Sequence, residues 1–190
     1  MFGRGSSDTD AVEVLKRDHD EAERLLDAYE DAKDETDPAR KAAVALEVCR
    51  ALAIHAQVEE ELFYPALRAA DDAAAELLNE AAVEHATVKN LVSAIEANTP
   101  DDPLYDATVR VLGEYVKHHV KEEEGEIFPL ARKSTLDLDA LGAAILERKQ
   151  ALQDQPPERR RGNGGASTGG PTPKAAHAAA KGARKHADRH

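Results

Sequence analysis

Two stretches of this chain could grip a metal ion, and they are nearly the same stretch. His55-Ala-Gln-Val-Glu59-Glu-Glu-Leu-Phe-Tyr-Pro65 recurs as His119-Val-Lys-Glu-Glu123-Glu-Gly-Glu-Ile-Phe-Pro129, with the His, the Glu four residues on and the Pro ten residues on in register. Imidazole nitrogen and carboxylate oxygen both ligate metals, and at i and i+4 they lie on one helix face about a turn apart. One copy can hold one ion and two copies can hold two. The repeat is also larger than the motif. His19 precedes His55 by 36 residues and His85 precedes His119 by 34, so the chain reads as two helix pairs of pattern His…His-x-x-x-Glu.

Four long helices are expected to position these groups. Asp10, with Glu13 three residues on as a capping-box partner, opens a helix running to about Lys33. Asp37-Pro38 opens a second, to about Ala70, and Asp71-Asp72 a third, to about Asn98. Asp102-Pro103 repeats the signal and opens a fourth, to about Lys133. Pro65 and Pro129 are expected to kink or end their helices, because proline lacks the donor for an i to i−4 bond. Apolar residues recur at 3,4 spacing in every stretch, and in each one a histidine takes a seam slot: His19, His55, His85 and His119. Short connections then predict an all-α, antiparallel up-down-up-down four-helix bundle with these groups facing inward. Leu138, Leu141, Ile145 and Leu146 predict a short fifth helix at about 137–152, outside the bundle or at one end.

Glu59 and Glu123 share the seams, and no Lys or Arg shares them. A buried, unpaired carboxylate costs several kcal/mol, on the order of what metal coordination offsets. Glu60, Glu61, Glu122, Glu124 and Glu126 read instead as a solvated acidic face. His118 lies about 140° from Glu123 around the helix against about 40° for His119, which makes His119 the ligand. Tyr115, one turn before His119, is a candidate hydrogen-bond donor behind the ligands or an added ligand, with a core tyrosine reaching solvent as the alternative, and Tyr29 and Tyr64 read the same way. Cys49, the only cysteine, reads as a small core residue, so any metal is held by nitrogen and oxygen. That donor set suits iron, manganese or zinc. With two histidines per ion and both carboxylates bridging, the protein fills about eight of the roughly twelve positions of two octahedral ions, leaving room for a small oxygen species.

Composition narrows the rest. Aromatics are 4% with no Trp, which suits helices packed through small aliphatic residues. No stretch approaches the ~20 apolar residues of a membrane span, and no apolar run marks the N-terminus, so a cytoplasmic protein is expected. Net charge is −12 but uneven. Residues 151–190 carry eight Lys or Arg against Asp154, Glu158 and Asp188, so an acidic body precedes a basic tail. An acidic body argues against nucleic acid as the domain's ligand, while the tail could make a weak contact with it. Residues 1–9 and 154–190 are expected to be disordered, flanking a domain at 10–153 with its core at 10–133.

Over about residues 10–133 the chain resembles the hemerythrin-like proteins, also called HHE cation-binding domains. The match rests on His19, His55-x-x-x-Glu59, His85 and His119-x-x-x-Glu123, with the Glu-Glu-x-x-Phe-x-Pro type ends at each carboxylate. The resemblance implies two iron ions in an oxo- or hydroxo-bridged, non-haem di-iron centre. Oxygen-carrying members have a second histidine four residues along the third helix, where this chain has Ala81 and Lys89 on either side of His85. They also carry an Asp five residues after the His of the fourth helix, where this chain has Glu123 at four. The symmetric form resembles the actinobacterial group and implies binding or turnover of hydrogen peroxide, dioxygen or nitric oxide, including catalase- or peroxidase-like activity, rather than oxygen transport. A non-catalytic iron or oxygen sensor, or an oxygen-binding protein, whose basic tail contacts a partner is the alternative, and iron storage is poorly supported by one two-metal site.

Overall fold

A computed structural model describes residues 9–33 and 37–155. The expectations for residues 1–8 and for the tail beyond 155 lie outside the described residues.

Among those residues every regular element is helical: α1 (Ala11–Ala32), α2 (Pro38–Val58), α3 (Tyr64–Ala70), α4 (Ala75–Ala97), α5 (Tyr105–Glu122), α6 (Phe128–Lys133) and α7 (Leu138–Gln153). Asp10 accepts from the amides of Val12 and Glu13, and Asp37 from those of Ala39 and Arg40 ahead of Pro38. These bonds satisfy N–H groups that have no partner inside the helix. Glu13 does not complete a capping box; it pairs with Arg132 at 2.5 Å. The fourth helix starts later than its Asp-Pro signal. Asp102 accepts from the amide of Leu104 at 2.7 Å, closing a turn that contains Pro103, and α5 begins at Tyr105.

The two prolines do not end their helices. α2 runs into α3 through a π-helical turn, Glu59–Phe63, and α5 into α6 through Glu123–Ile127. In each turn the residue before proline donates five residues back, Tyr64 to Glu59 and Phe128 to Glu123. The widened turn absorbs the missing donor of Pro65 or Pro129, so each rod continues. Both wide turns begin on the carboxylate of the repeat.

The four rods form the bundle, and its core comes in two parts. One cluster gathers Leu15, Val58, Phe63, Leu67, Leu78 and Phe128 at one end. The other gathers Leu26, Val48, Leu52, Val92, Leu112 and Val116 at the opposite end. His19, His55, Glu59, His85, His119 and Glu123 fall between these clusters on every rod, making a buried polar layer with apolar packing above and below. α7 lies along α1 and seats Ile145 in the first cluster. Gly142 allows this crossing, since a Cβ there would sit 1.8 Å from the Thr9 carbonyl oxygen.

Candidate metal centre

The polar layer brings together all six residues singled out by spacing. His19, His55, Glu59 and Glu123 form one group of mutually close ligating atoms, and Glu59, His85 and His119 another. Glu59 belongs to both. The His55 and His85 Nε2 atoms lie 3.1 and 3.4 Å from Glu59 Oε2, and the His19 and His119 Nε2 atoms 3.1 and 3.4 Å from Glu123 Oε2. His85 and His119 face each other, Nε2 to Nε2, at 3.1 Å. The two carboxylates are completely buried.

These contacts are not a self-sufficient hydrogen-bond network. His55 Nε2 and both oxygens of Glu59 have no hydrogen-bond partner, although ring nitrogens stand at contact distance. Distance without hydrogen-bond direction is what converging lone pairs produce, and a cation between them satisfies them all. The donor set, four imidazoles and two carboxylates with no thiolate, fits iron.

Every ring is fixed from behind. His19 Nδ1 lies 3.0 Å from Glu124, His55 Nδ1 3.5 Å from Asp18, His85 Nδ1 3.0 Å from Glu60 and His119 Nδ1 2.7 Å from Glu84. A carboxylate there assigns the proton to Nδ1 and leaves the Nε2 lone pair turned inward. The rule follows the repeat. The residue before the first histidine of each pair (Asp18, Glu84) backs the second, and the residue after each buried Glu (Glu60, Glu124) backs the first histidine of the other pair. Glu60 and Glu124 therefore correct the solvated-face reading: they touch the site from its rim. Asp18 and Glu84 were missed, and their only signal was adjacency to a seam histidine. Lys16, Lys89 and Lys149 pair with Glu124, Glu60 and Asp18, while Glu84 faces the exposed His118 at 3.5 Å.

Tyr115 is corrected too. It lies about 90° from the seam of α5 and is 43% exposed. The hydroxyl at the centre belongs to Tyr64, which donates to Glu123 Oε1 at 2.8 Å and lies 3.4 Å from His85 Nε2. The repeat could have revealed it, because Tyr64 and Phe128 both precede a repeat proline. Tyr64 stacks on His85 and Phe128 on His19, each with ring centres 5.5 Å apart.

The electrostatics reflect buried charge. Burial and the nearby charge of Glu123 hold the Glu59 carboxyl well above the usual range. Burial would raise Glu123 as well, but the His19 hydrogen bond and the charges of His119, His19 and His55 bring it to about 2. Burial opposes protonation of His19, yet the Glu123 hydrogen bond and the charges of Glu123 and Glu59 raise its pKa to about 9. Burial lowers His55 to about 4 despite Asp18, and lowers His85. Without metal the layer thus favours charge on His19 and Glu123 and disfavours it on Glu59. Tyr64 is pushed far up by burial and by both glutamates, which keeps its hydroxyl a donor.

Over the layer, on the side of the second apolar cluster, lies a cavity of about 20 Å³. The four histidines form its floor, and Ala22, Ala56, Leu52, Val88, Val116 and Val120 its walls. It has room for about one water-sized molecule, and its walls are apolar.

Comparisons with known proteins agree with this geometry. The structure resembles that of a hemerythrin HHE cation binding domain-containing protein from Mycobacterium kansasii, with TM-score 0.65 and 25% identity over 76% of this chain and 87% of that one. A curated relative, a DNA nickase from Nostoc sp., is 27% identical over 134 residues. The match covers 70% of this chain but only 36% of the nickase, so this chain spans about a third of that relative. The family model of the hemerythrin HHE cation binding domain matches residues 10–131, the span that builds the bundle and its polar layer. The chain belongs to the hemerythrin HHE cation binding domain family.

Proposed function

We propose that this protein holds two iron ions in its polar layer and uses them to bind or turn over a small oxidant: hydrogen peroxide, dioxygen or nitric oxide. His19 and His55 would serve one ion, His85 and His119 the other, and Glu59 and Glu123 both. The observation that carries the reading is the convergence of four Nε2 atoms on two buried carboxylates, with the Glu59 oxygens left without partners. Iron held by these six residues would supply one-electron redox capacity at two adjacent positions.

The chain's own groups divide the remaining work. Asp18, Glu60, Glu84 and Glu124 orient the rings. Tyr64 holds a proton 2.8 Å from Glu123 and is the hydroxyl nearest the ligands. Two apolar clusters keep bulk water from the layer, and the cavity above it admits only a molecule of a few atoms. Ala81 is buried, and Lys89 pairs with Glu60, so neither stands in for a fifth histidine ligand. That supports the symmetric His, His-x-x-x-Glu, His, His-x-x-x-Glu subgroup and oxidant chemistry over reversible oxygen carriage. Among the described residues no helix is long and apolar enough to cross a membrane.

The test is iron content per chain together with the absorption spectrum before and after peroxide. Two irons, an iron charge-transfer band and peroxide loss that vanishes in His119→Ala are expected. One zinc per chain without such a band would overturn the proposal.

A further inference from the structure

The small cavity over the histidines is lined by residues of all four rods, so whatever binds there must pass between helices. The four seams between rods are not equally packed. The backbones pack most closely between α1 and α2 and between α4 and α5, less closely between α2 and α4, and least closely between α1 and α5. A groove of about 260 Å³ opens on that seam, lined by Leu26 and Tyr29 of α1 and by Val109, Gly113 and Lys117 of α5.

Groove and cavity use the same two helices one turn apart. On α1 the cavity wall is Ala22 and the groove wall Leu26, and on α5 the cavity wall is Val116 and the groove wall Gly113. Leu26, almost fully covered, sits at the step between them. Its two methyl groups lie 3.5 and 3.8 Å from where a Cβ on Gly113 would be, so its branched end rests over bare glycine backbone.

Nothing else accounts for that glycine. It lies inside α5, where glycine weakens a helix relative to alanine, and no left-handed backbone requires it. A Cβ would make only ordinary contact, so close packing does not require it either. What the missing side chain leaves is room for Leu26 to change rotamer.

We propose that small molecules reach the metal layer along the α1–α5 seam, through a gate made by Leu26 swinging against Gly113. This inference rests on the small-oxidant reading only for the identity of what passes. A gate sets rates and leaves equilibrium untouched, because it stabilises neither the free nor the bound state.

Two probes of the full-length chain test it: water exchange with the cavity by deuteron magnetic relaxation dispersion, which needs no iron, and nitric oxide association with iron-loaded protein by stopped flow. Gly113→Ala should fold with a higher thermal midpoint yet slow both processes on the order of tenfold, with nitric oxide affinity unchanged. Leu26→Ala should speed both. Equal rates in Gly113→Ala and the parent chain would overturn the gate, as would a change in affinity without a change in rate. Slowed water exchange in a protein that never binds nitric oxide would support the gate and remove the oxidant reading.

Discussion

The two halves of the centre are built to one plan and finished differently. In the α1–α2 half, Phe128 covers His19, and α7 reaches in with Lys149 to hold Asp18 behind His55. In the α4–α5 half, Tyr64 covers His85, and Glu84 behind His119 meets the exposed His118, with no helix laid over it among the described residues. Shared features follow the duplicated sequence, and the differences sit at matched positions. The difference between Tyr64 and Phe128 also accounts for a polar imbalance. Tyr64 donates to Glu123, whereas Phe128, at the matching place, offers Glu59 nothing, and Glu59 is the carboxylate whose oxygens lack partners.

The largest break in this comparison is expected at the carboxylates. Because Glu59 belongs to both ligand groups, Glu59→Ala should leave fewer ions per chain than any single histidine substitution, as measured by iron content. If the halves acted independently, it would cost one ion like the others. Next comes the aromatic pair. Tyr64→Phe removes a hydrogen bond to a charged, buried group and should cost the metal-free fold about 1.5–3 kcal/mol in denaturant unfolding. Phe128→Tyr should move stability the opposite way by giving Glu59 a donor. Equal effects of one sign would show that the matched positions are not equivalent.

The carboxylates behind the rings come third. Asp18→Ala and Glu84→Ala should each weaken iron binding about 10–100-fold in chelator competition. Lys149→Gln should reproduce part of the first loss, and His118→Gln little of the second, because His118 is exposed. The smallest effect lies away from the centre, where Asp106 accepts from Tyr29 and Lys41. Burial works against its charge, but these partners lower its pKa below 3.8. Its contribution is therefore full above pH 3.8 and is lost as pH falls through the lower folded value. Asp106 is half exposed, so Asp106→Asn should cost under about 1 kcal/mol near neutral pH and nothing below the folded pKa.

Much of this was legible in the chain alone. The Asp caps at Asp10 and Asp37 are local chemistry, and seam phase separated His119 from His118 because helix geometry is fixed. Where the reading failed, Tyr115 apart, the cause was geometry that depends on neighbours. Of the two outcomes expected at the prolines, a kink or an end, the end does not occur, because a π turn carries each rod onward, with the repeat carboxylate at its start. Glu60 and Glu124 looked solvated because their partners sit on other helices, His85 at 25 and His19 at 105 residues' separation. Tyr115 was misread for a local reason: it lies one turn before His119 but about 90° from the α5 seam, which helical phase already shows.

The sequence by itself determined the helices, the six inward groups and their near-duplication, because 3.6-residue periodicity and capping act over a few residues. Only the tertiary structure decided which carboxylate stands behind which imidazole, that Tyr64 supplies the hydroxyl, and that the α1–α5 seam stays loose. Those depend on how four rods pack side by side, and packing joins residues that no local pattern relates.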